Sequence, residues 1–548
     1  MESIETIISR PLTIIQDLVA EEPTINAQAI SDHFVNLLDL HSTLLSRIPS
    51  FGTSRNKLPP YSLVRFRCMI QDNGLNPEIH LQRVQMINST TREEKTLITW
   101  FVDEPHKHPY FAVGVPGESP WVEDPPCDAE TAAIGRSLEI SSLEGYPRLP
   151  EHISNKIPST VPSYSAAVIK VYPSMLQMNY LKLNEVLDVV GIIEDPESTE
   201  DGTSECDELH LGAVPILNAL IVQKVPITPC SRQCDKSHDL VAPIDGVVLR
   251  HAMLDAISTF VLGDRLAAEY LYLHLFSRCG HNSDCELVTP TLNLSGVPSS
   301  PSSTNLTKEI FHLLQLLLPR VSYIPLSLEH INTTQFIPGS LPEKTAGLST
   351  GDLQLAEGTM LVLDETKMSP GKVMDRGVHN LAAVESLLKF GMVPYLTGAQ
   401  QIEVPTKCGC VILSHSKCML SSNLEVPILE SPDAPTPIVL SSNLLNTARK
   451  FIAAYKNEEF SISESMTQVI QTYFANVRAE EHRCHLPLTG QTDLLRILNI
   501  ARLATLSMGR TALTKELWNQ AVSLETARMD RVKSRTTNRG GTHHTLSR

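Results

Sequence analysis

Apolar positions in the first 50 residues recur at helical spacing, Ile14, Ile15 and Leu18 and then Phe34, Leu37 and Leu38. Residues 1–50 are therefore expected to form a small helical lead-in. The period then drops to two. From Tyr61 to Asp72, Val64, Phe66, Cys68 and Ile70 alternate with Arg65, Arg67 and Met69 before Asn73-Gly74 closes the run, which is the pattern of a half-buried strand. A second strand group covers Ala166–Pro173 and Leu181–Asp195, and its apolar run is broken by Gly191 as at a bulge or barrel corner. Together these strands predict a small open barrel over residues 51–196. Val115–Trp121 and the stretch around Pro125 and Pro126 read as loops within it.

Eight of the fifteen residues from Glu194 to Glu208 are acidic, which marks a solvated linker assigned to residues 197–240. Beyond it, Val247–Leu262 and Leu266–Phe276 have the periodicity of two helices joined near Gly263-Asp264. A strand at Leu287–Gly296, a Ser/Pro-rich loop, and a helix with Leu306, Ile310, Leu313, Leu314 and Leu317 on one face then open an α/β unit over residues 241–430. Strands follow at Met360–Thr366 and Cys408–Ser416. Helices are expected at Leu444–Lys456, Ser465–Glu480, Thr492–Gly509 and Thr514–Glu525, forming a helical unit over residues 431–528. Residues 529–548 read as a flexible basic tail, with a frayed end favoured over an import or partner-binding segment.

Composition narrows the function classes. A chain of 548 residues implies several domains, and 42% hydrophobic with 19% charged residues is ordinary for a globular protein. The net charge of −16 argues against broad nucleic-acid binding, which draws on Lys and Arg to displace counterions. No uncharged apolar run is long enough for a membrane span and no signal peptide is visible, so an intracellular protein without a membrane partner is expected. Eleven scattered cysteines suggest reduced thiols. Cys230, Cys234 and His238, and Cys408, Cys410, His415 and Cys418, lack the paired halves of a structural zinc site, so no metal is assigned.

The order strand, loop, helix raises nucleotide chemistry. A phosphate loop of the GxxxxGK[ST] type needs glycines for backbone approach, a lysine for the phosphates and a hydroxyl for magnesium. Counted from Gly296, the second glycine falls on Pro301, the lysine on Ser302 and the hydroxyl on Ser303. Pro298 and Pro301 also remove N–H donors, and Lys308 lies two turns into the helix. The acidic strand end Asp364-Glu365 in MLVLDET would hold magnesium in such an enzyme, but it has no loop to partner it. No catalytic, cofactor-binding or metal residue is assigned.

Over Val247 to Glu525 this order of segments resembles the AAA+ module of minichromosome maintenance (MCM) helicase subunits. The resemblance rests on LVLDETKM, ARKFIAAYK, TYFANVR and the helix pair around Leu494 to Met508. Against that pattern Ser302 stands at the phosphate-loop lysine, Ser414-His415 at the sensor asparagine, and Asp493 at the second sensor arginine, while the arginine-finger segment is absent. More of the chain resembles the MCM complex-binding protein family of eukaryotes, through VRFRCMIQD (Val64–Asp72), VPGESPW (Val115–Trp121), LGDRLAAEYLYLHL (Leu262–Leu275), NLSG (Asn293–Gly296), LVLDET and GVHNLAAVESLL (Gly377–Leu388).

The resemblance implies a multidomain α/β plus α+β fold: an OB-like barrel, a degenerate AAA+-like domain and a helical lid. It implies a nuclear, non-catalytic partner of MCM subunits, needing no cofactor and touching chromatin indirectly. The implied roles are DNA replication through assembly, chaperoning or unloading of the MCM complex, and sister-chromatid cohesion. The alternative is a single-stranded nucleic-acid-binding barrel acting through Arg65, Arg67 and Arg83.

Overall fold

The computed structural model describes residues 4–22, 25–40, 47–51, 61–75, 78–79, 82–87, 94–99, 106–122, 149–162, 165–176, 180–194, 214–225, 245–278, 291–299, 303–340, 347–398, 400–431, 440–485 and 489–540. It is a mixed α/β chain of more than one domain, containing a five-stranded barrel.

The first strands are β1 (Leu63–Asp72), β2 (Glu78–Ile79), β3 (Gln82–Ile87), β4 (Glu94–Thr99), β5 (His106–Gly114), β6 (Ala166–Val171), β7 (Val186–Ile193) and β8 (Ile216–Lys224). They run in the order β1-β7-β8-β6-β5, and β1 pairs again with β5, so the expected open barrel is closed. Closure follows from the length of β1. Residues 63–69 pair with β7 and residues 68–72 pair with β5, the second pairing carrying a register shift between Ile70 and Asp72. The bulge expected at Gly191 is present where the register steps from Val190 opposite Ile221 to Gly191 opposite Ala219, and the Asn218 carbonyl oxygen lies 2.5 Å from where a β-carbon at 191 would stand.

The linker assignment of 197–240 is corrected by β8, which lies inside it and pairs with both β6 and β7. An acidic run hid this strand. Residues 195–213 and 226–244, including Cys230, Cys234 and His238, lie outside the described residues. Ahead of the barrel lie the helices Ile4–Ser9, Pro11–Glu21 and Ala27–Leu40. Ile7, Ile14, Ile15, Ile30 and Phe34 pack on the barrel's outer face against Leu63, Val190, Ile192 and Ile221.

A parallel five-stranded sheet follows, built from β9 (Thr291–Ser295), β10 (Val321–Pro325), then, after the short strands β11 (Gly339–Ser340) and β12 (Leu348–Ser349), β13 (Met360–Asp364). The hairpin β14 (Met392–Thr397) and β15 (Gln400–Pro405) precedes its last two members, β16 (Gly409–Ser414) and β17 (Leu424–Pro427). The order β10-β13-β16-β9-β17, all parallel, brings the carboxyl ends of β9, β13 and β16 to one edge. The first strand's predicted start at Leu287 falls on residues outside those described.

The lid is not a separate body. Helices Ser442–Tyr455, Glu464–Arg483, Gln491–Ser507 and Lys515–Gly540 share one continuous core with the sheet and with helices Gly246–Phe260 and Arg265–Leu275, through Phe276, Phe451, Ile500 and Trp518. Those last two helices meet at 117°, and among the described residues no single helix is long and apolar enough to cross a membrane. The tail assignment of 529–548 is also corrected. Its residues 529–540 continue the helix Lys515–Gly540, because Arg528, Arg531 and Arg535 recur at helical spacing and find acceptors along the sheet.

The barrel is fixed to the sheet by the Val115–Trp121 segment, which sequence alone read as a loop. The Val321 N–H donates to the Gly117 carbonyl at 2.7 Å, extending the free edge of β10. The Ser119 hydroxyl donates to the Leu318 carbonyl at 2.6 Å and Trp121 Nε1 to the Gln315 carbonyl at 2.8 Å, while the Arg449 guanidinium lies 4.2 Å from the Trp121 ring centre. Lys156 forms a buried ion pair with Asp72, whose Oδ2 also accepts from the Leu348 N–H at 2.8 Å.

Candidate functional site

The carboxyl ends of β9, β13 and β16 form the edge at which α/β sheets bind ligands. Each side chain there is already engaged within the protein. Asp364, at the end of β13, is fully buried; its Oδ1 accepts from the Thr366 N–H at 3.0 Å and the Thr366 hydroxyl at 2.5 Å, and its Oδ2 from the Tyr323 hydroxyl at 2.6 Å. Burial, and then the Asp364 hydrogen bond and charge, push the Tyr323 phenol well above its ordinary pKa, so it remains a donor. Glu365 accepts from the Cys418 thiol at 2.7 Å and from the Met419 N–H at 3.0 Å. Burial followed by the Glu365 contact raises the Cys418 pKa as well, which keeps that thiol protonated. The two acids are thus pinned by four donor residues.

Several polar groups on the neighbouring strands are engaged in the same way, although Asn293 Nδ2 is buried without a hydrogen-bond partner among the described residues. The Ser414 hydroxyl contacts Asn293 Oδ1 and the Ser416 carbonyl, both at 3.0 Å, and His415 Nδ1 lies 2.8 Å from the Val297 carbonyl. Lys308 is exposed on the helix Ser303–Leu317, and Ser302 and Pro301 lie outside the described residues. Asp493 accepts from the Gly490 N–H at 3.1 Å and pairs with Arg496 at 2.7 Å, so it caps the helix Gln491–Ser507.

Where a phosphate loop would begin, Gly296 has φ +89, and a β-carbon there would stand 2.8 Å from Arg535 Nη2. The Arg535 guanidinium occupies that approach, donating to the Ser295 hydroxyl at 2.9 Å and to the His415 carbonyl at 3.2 Å. The Ser295 hydroxyl in turn donates a hydrogen bond to Glu425 Oε1 at 2.8 Å. One and two turns earlier on the same helix, Arg531 donates to Asp264 Oδ2 at 2.6 Å and Arg528 to the Glu425 carbonyl at 2.8 Å. Arginines take the place at which a nucleotide's phosphates would be held by lysine and backbone N–H groups. Sequence reasoning assigned Arg535 to a tail and missed it. The signal was the spacing of Arg528, Arg531 and Arg535, three and then four residues apart.

The other proposed sites fare as follows. Arg65 is bidentate to Asp188 at 2.9 Å and Arg67 Nε donates to Glu118 at 2.6 Å, so both barrel arginines face carboxylates. Arg83 lies on β3, and nothing of its side chain is described. Among the described residues no group of three His, Cys, Asp or Glu is placed to hold a metal ion. A cavity of about 170 Å³ between the barrel and β10 is lined by Pro116, Thr160, Ser322, His330 and Asp352. His330 Nε2 is 2.9 Å from Asp352 and its Nδ1 is 3.0 Å from the Thr334 hydroxyl, so both ring nitrogens are held within the protein.

Comparison with known proteins agrees with the sequence resemblance. The family model described as mini-chromosome maintenance replisome factor matches residues 34–144 and 147–532. A zebrafish (Danio rerio) protein named mini-chromosome maintenance complex-binding protein is 26% identical, over 96% of this chain and 97% of its own. A protein of the same name from Arabidopsis thaliana is also 26% identical, over 89% of this chain and 91% of its own. Among solved structures, a full-length MCM homolog from Methanopyrus kandleri aligns with a TM-score of 0.45 at 16% identity, covering 68% of this chain and 73% of that one. With the family model spanning most of its length, the chain belongs to the mini-chromosome maintenance replisome factor family.

Proposed function

We propose that this protein is a non-catalytic binding partner of MCM helicase subunits in DNA replication. The observation that carries the non-catalytic part is Arg535 lying over Gly296, with Asp364 and Glu365 already holding internal donors. Such a crevice lacks the lysine, the free acid and the open backbone that phosphoryl transfer requires. The binding part is supported by the names that relatives carry over nearly their whole length.

In this reading the barrel is OB-like, and the sheet with its helices is a decayed AAA+-like module that keeps the outer faces by which such modules pack side by side. The protein occupies a subunit's place in soluble nuclear MCM complexes and serves their assembly, chaperoning or unloading, with chromatin reached through those subunits. Its part in sister-chromatid cohesion follows from the same activity. An arginine finger is worth about three to five orders of magnitude in rate. A neighbour paired with this chain would lose that contribution, so its site would fall silent.

Mixing the purified intact chain with purified MCM subunits and passing the mixture over a sizing column with light scattering tests the proposal. A stoichiometric complex that persists without nucleotide is expected. Separate elution of the components, or salt-dependent capture of single-stranded DNA by the intact chain in place of such a complex, would favour the nucleic-acid reading.

A further inference from the structure

The helix Lys515–Gly540 is held along the sheet by three arginines whose burial decreases outward. Arg528 is 4% exposed and bonds the Glu525 carboxylate, whereas the Arg531 side chain, bonded to Asp264, is 25% exposed. Arg535, half-buried, grips the neutral Ser295 hydroxyl and His415 carbonyl. Arg528 and Arg531 each form an ion pair with a carboxylate, so the helix is held more tightly there than at its Arg535 end, from which it is set to lift. Ser534 stands beside that outermost grip. It is exposed, and its hydroxyl donates to the carbonyls of Asp530 at 2.6 Å and Arg531 at 3.1 Å. Arg531 precedes it by three residues, Lys533 by one, and Arg535 follows it, a charge pattern suited to the acidic groove of a basophilic kinase.

We propose that Ser534 is a phosphorylation site whose modification lifts Arg535 from Gly296 and opens the carboxyl-end crevice. Ser534 Oγ attacks the γ-phosphorus of ATP bound to a basophilic serine/threonine kinase. The bond from that phosphorus to the bridging oxygen breaks, ADP leaves, and the hydroxyl proton passes to the kinase's base. The product carries about −1.5 to −2 charges. It removes the donor that had bonded the Asp530 carbonyl, and it sets a dianion one turn from the Asp530 carboxylate in the last two turns of the helix. Both changes destabilise that helix end, where negative charge also opposes the macrodipole. Arg531 gains a charged acceptor three residues away on its own helix face. Arg528, bonded to Glu525, stays in place.

The test treats the intact chain with a basophilic kinase and MgATP, maps the phosphate by mass spectrometry, and follows hydrogen exchange. Phosphate on Ser534 is expected, with amide exchange at 295–297 and 531–535 faster by about tenfold or more and exchange in β7 unchanged. The S534A variant should show no such change, and R535A should speed exchange at 295–297 without any kinase. Absence of phosphate from Ser534, unchanged exchange at 295–297 after its phosphorylation, or unchanged exchange there in R535A would each overturn the proposal.

Discussion

Arg535 and Gly296 are fitted to one another: the guanidinium lies where a side chain at 296 would have to go, 2.8 Å from the position of its β-carbon. With φ +89 at Gly296, alanine there meets both backbone strain and the arginine. The G296A variant is expected to lose about 2 kcal/mol of stability, and R535A about 1 kcal/mol. The double variant should lose less than the sum, because removing the guanidinium leaves only the backbone strain. Denaturant midpoints of the four proteins measure the coupling.

Within the barrel domain Lys156 and Asp72 form a buried ion pair, with side-chain exposures of 2% and 4%, and the same Asp72 carboxylate accepts from the Leu348 N–H of the α/β domain at 2.8 Å. Changing Lys156 to Met strands a buried carboxylate and is expected to cost about 3–5 kcal/mol. K156M combined with D72N should recover part of that loss. Chemical denaturation followed by barrel and sheet fluorescence reporters would show both domains responding, since the Leu348 N–H bonds the same Asp72 carboxylate.

Trp121 fastens the barrel to the sheet through the Gln315 carbonyl and the Arg449 guanidinium. For this half-buried ring, W121A is expected to cost about 2 kcal/mol. Hydrogen exchange at Val321, whose N–H bonds Gly117 at 2.7 Å in the same clasp, should quicken while β16 stays protected.

His274 is buried in the helical core, and burial together with the nearby Lys456 charge lowers its pKa to about 3. The neutral ring is favoured in the folded state, so the unfolded chain binds the extra proton. Stability is therefore full above the ordinary histidine value of 6.5 and is lost as pH falls toward 3, by up to about 1.4 kcal/mol per pH unit. A His274→Leu variant should show a shallower loss over that window in pH-dependent denaturation. An unchanged slope would rule His274 out as the source.

Much of this architecture was legible where the signal is local. The alternation of Val64, Phe66, Cys68 and Ile70 marks β1, and Gly191 marks the bulge in the β7–β8 pairing. The stripe Leu306, Ile310, Leu313 and Leu317 marks the helix after β9, and all four are buried. What escaped depends on distant partners. The strand Ile216–Lys224 follows an acidic run and becomes a strand by pairing with β6 and β7. The helix through Gly540 is too polar to announce itself, and it is held by Asp264, Glu425 and Ser295, more than a hundred residues away.

The motifs that carried the family resemblance are largely anchors. Asp264 in LGDRLAAEY caps its own helix at Leu266 and Ala267 and also holds Arg531. Asn380 in GVHNLAAVESLL satisfies the carbonyls of Ile331 and Thr334, and Gly117 in VPGESPW joins barrel to sheet. These contacts join parts of the fold to one another.

Titration of the intact, unphosphorylated chain with MgATP in a calorimeter, with phosphate release followed alongside, tests the closed crevice most directly. The structure calls for no saturable heat and no hydrolysis, because Arg535 fills the phosphate approach and Asp364 and Glu365 are already bonded to Tyr323, Thr366, Cys418 and Met419. Saturable binding that is lost in D364N and E365Q would contradict it.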